Sequence, residues 1–459
     1  MPYRAQPRRK RPIVIAHRGA SGIRPEHTIE AYAVAILQGA DFIETDVVAT
    51  RDGVLVCRHE NVLATVALDA DHKIVLDQAG KPKVTGGTTN VSDRPEFSDL
   101  LTVKSIDGVP VGGWFSEDMT LAEIQSLRCR ERIPGIRPDN TRFDDQFSIP
   151  TLADVISLVH AAERSTGRAV GIYIETKHPT FFAKEGRHID GTLVDTSLGR
   201  LLVEAFVENK FTDPGRVFIQ SFEIQNLIEL RDSIMPSLGV DFPLVQLMGD
   251  IDQRSLQPTS NFSRPYDMAF NVERGADLEA IYSPLTLSLE GGITAETHYG
   301  DLTSKAAIQA IALRYAAGIG PWKNSFLRRS ELAAPLDSNG DGASQITTQL
   351  TGKVHDLLGH ALEAGLEIHP YTLRSEETFR TAHASGLTQS IDGEVLQLLA
   401  MGVSGFFIDQ PLDGVRARDS FLAQNGHSVG ASAWDSTDAP PWEGQGYDQL
   451  IALFERLSR

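Results

Sequence analysis

Cysteine is almost missing from this 459-residue chain: only Cys57 and Cys129 occur. Two cysteines cannot form a disulfide scaffold, and Cys57, inside an apolar run, is expected to be a small core residue. No apolar stretch approaches the roughly 20 residues that a membrane-spanning helix requires. Basic residues are also scarce, with 43 Lys and Arg against 61 Asp and Glu and a formal net charge of −18. That balance argues against nucleic acid as a partner, because phosphate backbones demand clustered Lys and Arg. Neither a G-x-G-x-x-G fingerprint nor a P-loop is present, so the usual glycine-rich phosphate cradles are excluded. The opening MPYRAQPRRKRP is basic but lacks an apolar h-region, so as written it is not expected to be a signal peptide. The expected location is cytoplasmic as written, and periplasmic or secreted if a signal peptide has been removed.

What is present is concentrated in residues 13–60. Ile13 to Ala16 form an apolar run that ends on His17 and predicts a buried strand. Residues 28–38 predict a buried helix, with Thr28 as its N-cap and Gly39 just past its end. Residues 42–50 and 54–59 predict two more strands, joined by an Asp52-Gly53 turn, and the last of them ends on His59. A strand–helix–strand unit of this length favours parallel strands with a crossover helix. Alternation puts Glu44 and Asp46 on one face of the second strand. Two carboxylates placed so repel each other unless a cation lies between them, and a divalent metal is the usual answer. His17 and His59 fall at strand ends, where α/β folds place their chemistry.

Further along, residues 170–177 predict a strand with Tyr173, Glu175 and Lys177 on one face. Other expected strands cover 216–222, 244–248, 366–374 and 403–410. The strand at 216–222 puts Gln220 and Phe222 on one face, facing a pocket or satisfying backbone groups. The strand at 366–374 does the same for His369, Tyr371 and Leu373. Helices are expected over 198–210, 223–233, 303–316, 354–364 and 393–401, and Thr120 with Glu123 and Thr151 with Asp154 cap two others. Alternation of about eight strands with helices supports a closed (β/α)₈ barrel or an open doubly wound sheet. Bringing Glu44, Asp46, His59 and Glu175 together is easier at the mouth of a barrel, so a TIM barrel with loop insertions is expected. Its single domain spans 13–418, after a basic tail over 1–12. Irregular loop insertions are expected at 61–117, with short β-like runs such as 73–76, and at 250–301. A C-terminal extension over 419–459 is expected to end in a helix at 447–457. The segment Asp337-Ser-Asn-Gly-Asp-Gly matches the start of an EF-hand loop, but its twelfth position is Thr348, where a bidentate Glu is required. It is therefore expected to be a turn-rich loop with an incidental cation site at most.

The runs AHRGASGIRPEHTIEAY, GADFIETDV and the one closing at His59 resemble the glycerophosphodiester phosphodiesterases in residue type, order and spacing. Glu175-Thr-Lys177 is similar to the family's E-x-K step, and Gly318-Ile-Gly-Pro-Trp322 resembles its periplasmic-type branch. The resemblance implies a TIM-barrel phosphodiesterase acting on a small-molecule glycerophosphodiester. It implies one divalent cation on Glu44, Asp46 and Glu175, with Ca²⁺ favoured over Mg²⁺. Oxygen ligands alone also suit these hard cations better than Zn²⁺. Arg18 and Lys177 are expected to grip the phosphate, and His17 and His59 to move protons, His59 as the acid. The products expected are an alcohol and sn-glycerol 3-phosphate, formed through a cyclic phosphate.

Rivals are weaker. An amidohydrolase would end its first strand in two histidines, and a retaining glycosidase needs carboxylates that straddle a sugar bond. A phospholipase-D-like lyase of the same superfamily, or a barrel that only binds phosphate esters, would keep the same residues.

Overall fold

Eight of the apolar runs become parallel strands of one sheet in the computed structural model, which describes residues 11–252 and 261–425. They are β1 (Ile13–Ala16), β2 (Phe42–Ala49), β3 (Gly171–Thr176), β4 (Val217–Ser221), β5 (Leu244–Met248), β6 (Gly318–Pro321), β7 (Glu367–Ile368) and β8 (Gly405–Ile408). Each pairs with its neighbour in chain order, and β8 pairs with β1 through Ile13↔Gly405 to Ala16↔Ile408. The last gap closes where Ser404 N donates to Ile368 O (3.2 Å) and Leu373 N to Phe407 O (2.8 Å). The sheet is thus a (β/α)₈ barrel, as expected.

The helices follow the strands in turn. They are α1 (Ile29–Leu37), α2 (Leu152–Thr166), α3 (Leu198–Glu208), α4 (Ile224–Glu229, carried on by turns to Leu238), α5 (Lys305–Arg314), α6 (Leu357–Glu363), α7 (Ile391–Ala400) and α8 (Pro411–Gln424). Thr28 caps α1 by accepting from Ala31 N at 3.1 Å, and Thr151 and Asp154 form a capping box on α2. Outward residues such as Ile43, Val47 and Ile172 pack beneath the helices. Inward residues fill the barrel floor with Ile13, Ile15, Phe42, Tyr173, Phe218 and Phe407. The Tyr173 ring stacks on Phe218 and meets Phe407 edge-on, both at 4.9 Å.

The inward positions change character along each strand. Ile13 and Ile15 give way to His17, Phe42 to Glu44 and Asp46, Tyr173 to Glu175 and Lys177, and Phe218 to Gln220. A period of two makes this switch possible without exposing the apolar floor. Polar groups therefore gather at the C-terminal mouth.

Three expectations need correction. Residues 61–117 are no irregular loop: they form a four-stranded antiparallel sheet of Val62–Val66, Val84–Gly87, Thr102–Ile106 and Val109–Phe115. The run at 73–76 is not one of its strands; it is held by single bridges, Leu68↔Ile74 and Leu76↔Pro82. Residues 250–301 contain short helices, Tyr266–Glu273, Leu278–Tyr282 and Leu285–Ser288. The EF-hand-like segment is a turn-rich loop, as expected, and forms the tip of a long hairpin, Leu327–Leu336 with Ile346–Val354. Finally, the barrel domain does not end at 418, because α8 runs to Gln424, and buried Arg418 donates to Asp41 at 2.6 Å. The expected helix at 447–457 and most of the basic tail lie outside the described residues.

Candidate active site

Strands β2 and β3 pair in register, with Asp46 opposite Glu175. That register gathers Glu44, Asp46 and Glu175, all buried, so that one oxygen from each lies within 4.8 Å of the others. Burial, and then Asp46, push the Glu44 carboxyl well above its ordinary range. Burial raises Glu175 from an ordinary 4.5 to about 8, again with Asp46 adding to the shift. Asp46 goes the other way: in spite of burial it is held low by Lys177, His59 and His27. Three buried carboxylates cannot all ionise without a cation among them. Asp46 Oδ1 is buried and has no hydrogen-bond partner. An all-oxygen donor set of three buried carboxylates fits a hard divalent cation.

The surrounding groups hold the trio from outside. His27 Nε2 lies 2.9 Å from Asp46 Oδ2, and its Nδ1 lies 2.8 Å from the Tyr32 hydroxyl. Gln220, which sequence left between two roles, faces the mouth and donates to Glu44 Oε1 at 3.4 Å. Lys177 Nζ sits 2.6 Å from Glu175 Oε1 and 3.3 Å from Asp46 Oδ1. The Lys177 ammonium thus pairs with two of the three carboxylates. Arg18 donates its backbone N–H to Glu44 Oε2 at 2.6 Å and its Nη1 to Glu26 at 2.8 Å. Its Nε, 3.7 Å from Asp46, has no hydrogen-bond partner and borders the cavity.

Backbone geometry at the H-R-G step is demanding. Arg18 has φ +57° and Gly19 φ +83°. A Cβ on Gly19 would lie 2.7 Å from the Ala31 carbonyl carbon. Gly19→Ala should therefore cost about 1–3 kcal/mol, from overpacking added to an unfavourable φ. The urea midpoint should fall accordingly; an unchanged midpoint would mean that the turn relaxes freely.

His17 projects from the end of β1, with Nδ1 2.6 Å from Asp409 Oδ1 at the end of β8. A carboxylate only accepts, so Nδ1 carries the proton and Nε2 keeps its lone pair. Asp409 is itself fixed by Arg137 Nη2 (2.6 Å) and Arg374 Nε (2.7 Å). Burial, and then Arg18, lower the His17 pKa to about 4, so the ring is neutral at pH 7. His59 stands past the short strand Leu55–Cys57, its side chain 26% exposed and its Nδ1 2.5 Å from Glu60 Oε1. Burial, Arg18 and Lys177 hold its pKa well below 6.5.

Beyond it, His178 Nε2 lies 3.5 Å from Glu60 Oε2, and His178 Nδ1 2.6 Å from Asp107 Oδ2. Asp107 lies in the turn of the inserted sheet. Burial opposes a charge on His178, but Asp107 and Glu60 overcome it and raise its pKa well above 6.5.

The seven residues singled out by sequence, His17, Arg18, Glu44, Asp46, His59, Glu175 and Lys177, all line one cavity of about 860 Å³. Its outer wall carries Ile106, Val109 and Val111 from the inserted sheet. Asp409, Arg137, Arg374, Glu60, His178 and Asp107 support the site and were missed. Asp409 and Lys177 obey one rule, a polar residue at the end of an apolar strand, so that signal was available for Asp409. Nothing local marks Arg137, which reaches the site from the loop just before the 3₁₀ turn Pro138–Phe143. Cys57 is buried, as expected, and its thiol is pushed up to about 12 by burial.

Residues 17–284 match the glycerophosphoryl diester phosphodiesterase family. The chain is similar to glycerophosphodiester phosphodiesterase GDPD6 of Arabidopsis thaliana, with 28% identity over 373 residues, covering 80% of this chain and 76% of that one. It is also similar to a glycerophosphodiester phosphodiesterase of Haemophilus influenzae, with 26% identity over 411 residues and 88% of each chain covered. A Bacillus subtilis enzyme of the same name shares 29% identity over 237 residues, 51% of this chain and 59% of its own.

Proposed function

This chain belongs to the glycerophosphodiester phosphodiesterase family, and on that premise we propose that it hydrolyses glycerophosphodiesters by proton transfer between His17, His59 and the glycerol unit at the barrel mouth. The observation that carries the mechanism is the His17–Asp409 pair beside the three carboxylates. It leaves a neutral imidazole with a free Nε2 next to a site fit for a divalent cation.

Glu44, Asp46 and Glu175 would hold that cation, which supplies charge stabilisation at phosphate oxygens and acidifies a hydroxyl. His17 Nε2 accepts the proton of the glycerol hydroxyl next to the ester. The oxygen so freed attacks phosphorus within the same molecule, an arrangement with high effective molarity. The bond from phosphorus to the leaving oxygen breaks, and protonated His59 gives its proton to that oxygen. A five-membered cyclic phosphate and the alcohol result. Water then opens the ring, with His59 taking a proton from water and His17 returning one to the glycerol oxygen. The products are the alcohol and sn-glycerol 3-phosphate. Arg18, which lines the cavity, would donate to a non-bridging oxygen. Lys177 balances the carboxylates until the cation takes over that role.

The test is a matched pair of diesters, one with the neighbouring hydroxyl and one deoxygenated there. Only the first should turn over, with a cyclic phosphate seen by phosphorus NMR in single-turnover samples. Comparable rates on both would rule out the internal nucleophile. A cyclic phosphate that accumulates and is never opened would identify a lyase instead.

A further inference from the structure

The hairpin Leu327–Leu336/Ile346–Val354 ends in the loop Asp337-Ser-Asn-Gly-Asp-Gly-Ala, whose chemistry the diesterase reaction does not use. In sequence the loop lacks the carboxylate that would finish a calcium site. The fold brings one from elsewhere: Glu377, on the short turn Glu377–Phe379 that follows β7. Oxygens of Asp337, Asp341 and Glu377 lie within 4.8 Å of one another.

Glu377 is the telling member. It is only 5% exposed, and no shell of water offsets its charge. Its Oε1 accepts from the Ser338 backbone N–H, while its Oε2 is buried with no hydrogen-bond partner. Arg380 Nη2 lies 3.9 Å from Oε1 and donates to the Ser338 hydroxyl at 3.0 Å. A buried carboxylate oxygen left bare is costly unless something cationic completes it. The loop itself is preorganised. Asp337 accepts from the backbone N–H groups of Gly340 (2.7 Å) and Gly342 (2.9 Å), and Gly342 takes φ +86°.

We propose that Asp337, Asn339, Asp341 and Glu377, with the Ala343 carbonyl, form a second cation site, selective for Ca²⁺, that fastens the hairpin to the segment after β7. Asp337, Asn339, Asp341, Gly342 and Ala343 stand at loop positions one, three, five, six and seven of an EF-hand, and Glu377 replaces the missing twelfth. Flexible oxygen ligands in such number suit Ca²⁺ better than Mg²⁺, which demands a tight octahedron.

The two segments already touch beside the loop. Leu350 N donates to Ala382 O and Ala382 N to Thr348 O, both at 2.9 Å. Arg329, Thr348, Phe379 and Arg380, which flank this seam, line the active-site cavity. Calcium would therefore stiffen one wall of the substrate cavity from a site outside the catalytic centre.

Calcium titrated calorimetrically into the chelator-stripped full chain carrying Glu44→Gln tests this without the barrel-mouth site. One calcium should bind, with a dissociation constant on the order of 10⁻⁵–10⁻³ M. Asp341→Ala and, separately, Glu377→Gln in that background should each weaken it at least tenfold. Asp341 is exposed, so its variant keeps the fold, which an unchanged circular-dichroism spectrum checks. In the otherwise wild-type chain, calcium should slow protease cleavage at 337–345, and Asp341→Ala should remove that protection. No calcium uptake by the Glu44→Gln chain, or uptake that ignores Asp341→Ala, would overturn the proposal. Loss of diesterase activity alone would leave this result untouched, because uptake is read without substrate.

Discussion

Glu44→Gln should reduce diester turnover about 10³-fold or more, and excess chelator should do the same to the wild-type chain. The magnitude follows from losing several kcal/mol of charge stabilisation at the phosphate. Stability gives an independent reading. Bound cation stabilises the wild-type fold in proportion to its occupancy, so chelation should lower Tm. Without the cation the carboxylates repel, and Glu175, raised from 4.5 to about 8, sets the pH window. A carboxyl with a raised pKa stabilises the fold fully below about 4.5 and loses that contribution as pH climbs through about 8. Relative to Glu175→Gln, the Tm of the metal-free wild type should therefore decline between those values; the lowered pKa values of His17 and His59 act in the opposite sense below 6.5 but are common to both chains. Glu175→Gln should flatten the decline, since the amide has nothing to ionise. Asp46, held low by Lys177, His59 and His27 in spite of burial, titrates below the window and does not cancel the trend. Full activity in excess chelator would show that the three carboxylates are structural.

His59→Ala and His17→Ala should part company when the leaving group is changed. With a poor leaving alcohol such as choline, each loss should be about 10²–10⁴-fold, the ordinary worth of general acid or base catalysis. With p-nitrophenolate leaving and the neighbouring hydroxyl retained, protonation matters little. His59→Ala should then recover most of its rate, while His17→Ala stays slow. The pH profiles supply a second check. Besides burial, Arg18 and Lys177 depress the His59 pKa, and a bound phosphate diester neutralises them. Its pKa should rise in the complex. The alkaline limb of kcat, which reports the complex, should lie at higher pH than that of kcat/KM, which reports the free enzyme. Equal losses for the two variants on both substrates, with cation binding intact, would mean the acid is another group.

The strands and the chemical residues on them were legible because each strand announces itself twice, by an apolar run and by the polar residue that ends it. Glu44 with Asp46 and Glu175 with Lys177 show this plainly, and their inward direction follows from alternation alone. The residues that steady them were hidden for a geometric reason. His17 and Asp409 are 392 positions apart and meet only because β8 closes on β1. Glu377 likewise completes the Asp337 loop only through tertiary packing. The inserted sheet was a different kind of miss. Its signal was local: Ser105-Ile106-Asp107-Gly108-Val109 puts the favoured Asp-Gly turn between two strands, and the structure shows φ +49° and +78° there. Glycines at 112 and 113 mask the alternation. They are needed because Cβ atoms there would strike Leu68 and Ala64 on the packed side.

The turn at Asp107 has a further consequence for how this enzyme could diversify. Asp107 contacts His178, His178 contacts Glu60, and Glu60 contacts His59. The proposed proton donor is thereby wired to the four-stranded sheet inserted between β2 and α2, through alternating acidic and basic links. A substitution in that appendage can retune the donor's acidity while every barrel residue stays fixed. The fold and the acidity of that donor are thereby set by separate parts of the chain.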